Sequence, residues 1–292
     1  MKWETVTNQR NELGEGPVWD IAARRIIWID IYKGAIHEYY PAENKHQSFP
    51  VGQKTGAVAL KRSGGFIAAL EHGFAAINPE KQDVSMIIDP ESHLPGNRFN
   101  DGKCDPAGRF WAGTMSVSGK ENSGSLYALD KTLSVSMKIN AVGCSNGMAW
   151  SRDQAAFYFI DTPTRQVTAY DYNIDNGSIT NKRVIITIAE EDGLPDGMTI
   201  DAEGMLWIAL WGGWKVERWN PRTGILLQRI LLPVSQVTSC TFGGEKLNDL
   251  YITSARHGLS GNELLQQPLA GSLFVVKNCG YYGLPAAIFE DL

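Results

Sequence analysis

Six short segments of this chain place an oxygen-bearing side chain directly before a glycine or its positional equivalent: Glu15-Gly16, Thr55-Gly56, Asp101-Gly102, Asn146-Gly147, Asp196-Gly197 and Ser239-Cys240. Three of these side chains are carboxylates and one is an amide. Converging at low dielectric, three carboxylates repel one another unless they are protonated or neutralised, and a bound cation is the simplest remedy. Oxygen donors without a Cys pair or a His make a hard ligand set, which suits Ca²⁺ or Mg²⁺, and after them Mn²⁺, better than a structural zinc. Too few protein ligands are in view to saturate such an ion. Open positions for water or substrate are what a Lewis-acid site needs. Arg98, Asn100 and Lys103 add polar reach nearby; Arg98 reads either as a surface turn residue or as a donor to an oxygen-rich ligand, and its closeness to Asn100 and Asp101 favours the second. The plainer reading of all six is a tight polar entry turn. An acid or amide at four of six matched positions favours the cation.

The elements that must bring these residues together are written in the spacing. The opening glycines stand at 16, 56, 102, 147 and 197, with Cys240 in the sixth place, so the steps are 40, 46, 45, 50 and 43 residues. Each copy follows one grammar. In Pro195–Leu210 an acidic residue and glycine lead into a short apolar strand, the chain turns at Asp201-Ala202-Glu203-Gly204, and it returns through Met205-Leu206-Trp207-Ile208-Ala209. Short strands at such a period are the signature of β-propeller blades of about four strands each, and a ring of blades must close. The expectation is an all-β, six-bladed β-propeller in one domain over 1–292, with Lys2–Thr7 pairing as the outer strand of the sixth blade to close the ring. A pair of β-sandwiches is the rival, disfavoured by the regular period. Matched second-strand residues Trp28, Trp111, Trp207, Phe159 and Tyr251 read as inter-blade packing, and Gly261–Gln266 reads as one short helical turn.

Composition narrows the function classes. A net charge of -5 leaves no basic footprint for nucleic acid or an anionic membrane. The N-terminal stretch lacks a signal-peptide core and no apolar run approaches a membrane span, so a cytoplasmic location is expected. Four widely spaced cysteines without a CxxC read as reduced structural thiols. There is no GxSxG elbow, no Walker or Rossmann glycine loop, and the five histidines lie outside the opening-turn positions. Trp211 and Trp214 read as rim packing or as walls of a sugar-sized pocket.

The motifs GEGPVWD, RFNDGKCDPAGRFWAGTM, SNGMAWS, PDGMTIDAEGMLWIA, TSCTFGG, LYITSAR and QQPLAGSLF resemble, in order from Gly14 to Phe274, those of the senescence marker protein (regucalcin), gluconolactonase and luciferin-regenerating enzyme family. The resemblance implies a six-bladed propeller, one divalent cation in the channel (Ca²⁺ first, with Zn²⁺, Mn²⁺ or Mg²⁺ as alternatives) and hydrolysis of small-molecule sugar lactones. By position it makes Glu15, Asn146 and Asp196 the metal ligands, Asp196 also the general base, and Arg98, Asn100 and Asp101 the substrate-binding residues. A carboxylate bound to a cation is a weakened base, which makes that double role awkward. One departure is visible: animal members carry acidic residues shortly after GTM, whereas Ser116-Val117-Ser118 follow here, so no substrate contact is carried onto that loop. Two other classes remain open, a metal-stabilised or calcium-handling binding module without turnover and a hydrolase of another ester such as a phosphotriester.

Overall fold

In the computed structural model, residues 2–291 are described, and their strands sort into six four-stranded sheets, the blades of a β-propeller. The ends of the expected 1–292 unit, Met1 and Leu292, lie outside the described residues. Five blades are antiparallel meanders whose innermost strands are Gly14–Asp20, Thr55–Leu60, Asn97–Cys104, Ser145–Trp150 and Leu194–Ile200. Blade six takes Val237–Gly243, Asp249–Ser254 and Phe274–Val276 from the far end of the chain and receives Glu4–Thr5 as its outer strand. Ring closure by the N-terminal segment is therefore as expected, with Glu4 opposite Val275 and Thr5 opposite Phe274. The closing strand is shorter than the expected Lys2–Thr7 run because the chain bends at Val6, and Trp3 instead packs edge-on against Phe274 at 5.4 Å.

The core lies between blades, not within them. Each of the six apolar clusters draws on two neighbouring blades; one joins Trp111 and Leu126 of blade three to Met148, Trp150 and Phe157 of blade four, and another joins Trp19 and Trp28 of blade one to Tyr251 and Val275 of blade six. Trp28, Trp111 and Trp207 are wholly buried, as their matched positions predict. Innermost strands touch their neighbours all the way round the ring, and that contact explains the glycines. A Cβ on Gly197 would lie 2.1 Å from Ser239 Oγ of the next blade, and one on Gly147 would lie 2.8 Å from the Asp196 carbonyl.

Every innermost strand also breaks register with its partner beside the matched residue, on one side of it or the other: between Glu15 and Val18, Thr55 and Ala57, Phe99 and Asp101, Asn146 and Met148, Pro195 and Met198, and Val237 and Ser239. A β-bulge re-aims the side chain at the bulge, so one irregularity repeated six times sets the matched residues around the channel. The expected short helix, Gly261–Gln266, is present and is closed by a capping box between Ser260 and Glu263.

Candidate functional site

Glu15, Thr55, Asp101, Asn146, Asp196 and Ser239 are all buried on the innermost strands. Burial pushes the Glu15 carboxyl well above its usual range, and the charges of Asp196 and Asp101 push it further. Asp196 is raised well above its usual range by burial and then by the charge of Asp101, and the nearby Asn146 amide and the Gly197 N–H counter the rise. Asp101 is raised by burial and partly relieved by Lys103. The Gly16 N–H donates to Glu15 Oε2 at 2.8 Å, and the Gly102 N–H to Asp101 Oδ1 at 2.7 Å. The acids thus face one another, as their matched positions predict.

Two aspartates at the ends of second strands aim the loops that enter the ring. Asp30 accepts from the Glu12 and Leu13 N–H groups, three and two residues ahead of Glu15, and Asp161 accepts from the Gly143 and Cys144 N–H groups, three and two ahead of Asn146. Thr162 completes the support. Its Oγ1 accepts from Asn146 Nδ2 at 2.9 Å and donates to the Pro195 carbonyl at 2.8 Å, tying blade four to blade five one residue before Asp196. With Nδ2 so held, Asn146 Oδ1 is buried and has no hydrogen-bond partner.

On the blade-three side, Arg98 is buried. Its Nη1 donates to the Phe99 carbonyl at 2.9 Å and to Asn100 Oδ1 at 2.8 Å, and its guanidinium lies 5.8 Å from the Tyr32 ring centre. Asn100 Nδ2 donates to the Ser145 carbonyl at 3.0 Å, so this side chain joins Arg98 to blade four. Lys103 reaches across the channel to the Met198 carbonyl of blade five at 2.6 Å, forming a floor beneath Asp101. Thr55 turns its hydroxyl back to the Gln53 carbonyl at 3.2 Å.

The histidines stand apart from this ring. His37 and His46 stack on Trp28, His257 pairs with Glu12, and His72 is exposed. Trp211 packs against the core between blades one and two, while Trp214 is exposed. Sequence reasoning missed Thr162, Asp30 and Asp161; the Ile-Asp ending shared by the second strands of blades one and four was the available signal. It also missed Cys144, whose Sγ lies 3.5 Å from Met115 Sδ and whose thiol is pushed up to about 12 by burial and then by Asp196.

The arrangement fits a hard divalent cation. An unpartnered buried amide oxygen and buried carboxyls that raise one another's protonation are what such an ion would satisfy and relieve. Among the described residues no group of three or more His, Cys, Asp or Glu side chains forms a metal cage. A set of two carboxylates and one amide, with open positions left over, lies outside that description.

A six-bladed propeller with an acid-and-amide ring in its channel defines a class, and comparison with known proteins places the chain within it. Residues 13–256 match the SMP-30/Gluconolactonase/LRE-like region. The bovine (Bos taurus) regucalcin is 39% identical over 290 residues, covering 98% of this chain and 97% of its own. A solved luciferin-regenerating enzyme superposes with a TM-score of 0.93 at 31% identity, covering 99% of both chains. A regucalcin from Agrobacterium tumefaciens, described as a calcium-binding protein, gives 0.93 at 27% identity, covering 98% of this chain and 96% of that one. The chain belongs to the SMP-30/gluconolactonase/LRE-like family, which supports a lactonase- or regucalcin-type function. Among the described residues no helix is long and apolar enough to cross a membrane.

Proposed function

We propose that this protein is a divalent-cation-dependent lactonase that opens sugar lactones to aldonic acids. The observation that carries the reading is the buried, unpartnered Asn146 Oδ1 beside the Glu15 and Asp196 carboxyls, in a chain of a family that includes gluconolactonases. Glu15, Asn146 and Asp196 would hold the cation. Calcium is the first choice, given all-oxygen ligands and a relative described as calcium-binding. When bound, such an ion supplies a Lewis acid for a carbonyl oxygen.

The chain's own residues do the rest. The Arg98 N–H groups not used on Phe99 and Asn100 donate to the substrate's hydroxyls, and Asp101 accepts from them. Asn100 keeps the Arg98 fork in place. Asp196 draws a proton from the attacking water; the water oxygen bonds to the carbonyl carbon, the ring C–O bond breaks, and the departing alkoxide takes up a proton as the hydroxyl of the aldonic acid. A polyol suits the Arg-Asn-Asp cluster better than an apolar ester does. In pH-indicator assays on a panel of aldonolactones, Asp196→Ala and Asn146→Ala proteins that remain folded by circular dichroism should lose about 10²–10⁴-fold in turnover. Turnover equal to the parent's in either variant would sink the reading.

A further inference from the structure

The channel does not end at Lys103. Behind it, toward the mouth opposite the acid ring, lies a cavity of about 420 Å³, within the range of small-molecule sites. Its walls are the distal halves of the innermost strands and are largely apolar, with Val18, Val58, Met148, Trp150 and Phe242 among them. Its roof comes from the C-terminal segment, where Leu284, Pro285, Ala286 and Ala287 face the cavity.

That segment is a strap across the ring. At one end the Ala202 N–H of blade five donates to the Tyr282 carbonyl at 2.7 Å, and the Gly283 N–H donates to the Leu247 carbonyl of blade six at 2.7 Å. At the other end the Phe289 N–H donates to the Leu60 carbonyl of blade two at 2.8 Å, and the Arg62 N–H donates to the Phe289 carbonyl at 3.0 Å. Phe289 is buried in the core between blades two and three, and Asp291 pairs with Lys61. Blades five and two are opposite in a ring of six. Between its anchors the strap, residues 284–288, has no regular structure and covers the chamber.

One polar feature of the chamber lacks a partner. Arg152, on the rim, is exposed, and among the described residues its side chain makes no hydrogen bond or ion pair. The only carboxylate among the lining residues is Asp101, at the Lys103 floor. Apolar walls and a free guanidinium at the rim describe one kind of occupant. We propose that the strapped rear chamber is a second ligand site, behind the acid ring, for a small amphiphilic monocarboxylate, its apolar body against Trp150 and Phe242 and its carboxylate at Arg152.

Octanoate is the probe, titrated by calorimetry into the full-length protein, with 1-octanol as the neutral control. One site per chain is expected for octanoate, with octanol at least tenfold weaker. Thr241 lines the chamber, is partly exposed and makes no side-chain hydrogen bond among the described residues, so Thr241→Trp should fill the space and abolish binding. Arg152→Ala should weaken octanoate about tenfold and leave octanol unchanged; as an exposed substitution it also guards against a folding defect in Thr241→Trp. No octanoate binding at millimolar concentration would overturn the proposal, as would binding that survives Thr241→Trp or that is equal for octanol and octanoate.

Discussion

Thr162→Val tests the site where the structure adds most to the sequence. Valine keeps the shape of threonine but removes the hydroxyl that accepts from Asn146 Nδ2 and donates to the Pro195 carbonyl. Two part-buried hydrogen bonds are lost, at roughly 0.5–1.5 kcal/mol each, so urea unfolding of cation-free protein should show a loss of about 1–3 kcal/mol. The second effect is larger in consequence. The other described partner of Asn146 Nδ2 is the Cys144 sulfur at 3.9 Å, so the amide can turn and Oδ1 is no longer presented. Removing a group that orients a metal ligand costs about 10–100-fold in metal affinity, or about 1.4–2.7 kcal/mol in binding free energy. Calorimetric titration of Ca²⁺ into chelator-stripped parent and variant reads this directly. An unchanged dissociation constant, with the stability loss present, would mean that Thr162 is only a blade-to-blade tie and that Asn146 Oδ1 is not a ligand.

Other expectations follow from the same contacts. Trp207→Phe removes the indole N–H that donates to Asp201 Oδ2 at 3.0 Å in a wholly buried position, and should cost about 2–4 kcal/mol by urea unfolding. Gly197→Ala drives a methyl into Ser239 Oγ of the next blade; a cost of about 1–3 kcal/mol is expected, and displacement of the neighbouring Asp196 should lower Ca²⁺ affinity with it. His37 is held at about 4, against an ordinary 6.5, first by burial and then by His46. Between those values the unfolded chain binds a proton that the native one refuses, so His37's contribution is full above about pH 6.5 and is lost as pH falls toward about 4. Unfolding free energy should drop by on the order of 2–3 kcal/mol from this group between about pH 7 and about pH 4.5, and by less in His37→Gln.

The fold was legible because a propeller repeats itself. Glycines at 56, 102, 147 and 197 mark points where neighbouring innermost strands approach too closely for a side chain, and Gly16 holds a positive φ of 50°, so backbone constraints leave a periodic trace. The matched tryptophans were legible as core, but their polar end was not: Trp111 and Trp207 donate to Asp105 and Asp201 in the adjoining turns, and Arg109 and Arg218 close the same carboxylates. The acid ring was legible as a set of matched positions. Its supports were less so, because Thr162 meets Asn146 and Pro195 across two blades, and sequence spacing carries no signal for a contact between elements of different copies. The end of the closing strand was overestimated because alternation continues through Thr7 while the backbone bends at Val6. The strap over the rear mouth was invisible, since residues 284–288 belong to no repeat.

The central claim is that oxygen ligands of this ring make a cation-dependent lactonase. Its most direct test is hydrolysis of a panel of aldonolactones by chelator-stripped protein, followed by pH indicator, with Ca²⁺, Mg²⁺, Mn²⁺ and Zn²⁺ added back singly. The account predicts no turnover in stripped protein and turnover restored by a divalent cation, Ca²⁺ first. Undiminished turnover without any cation, or none with every cation despite tight binding, would contradict it.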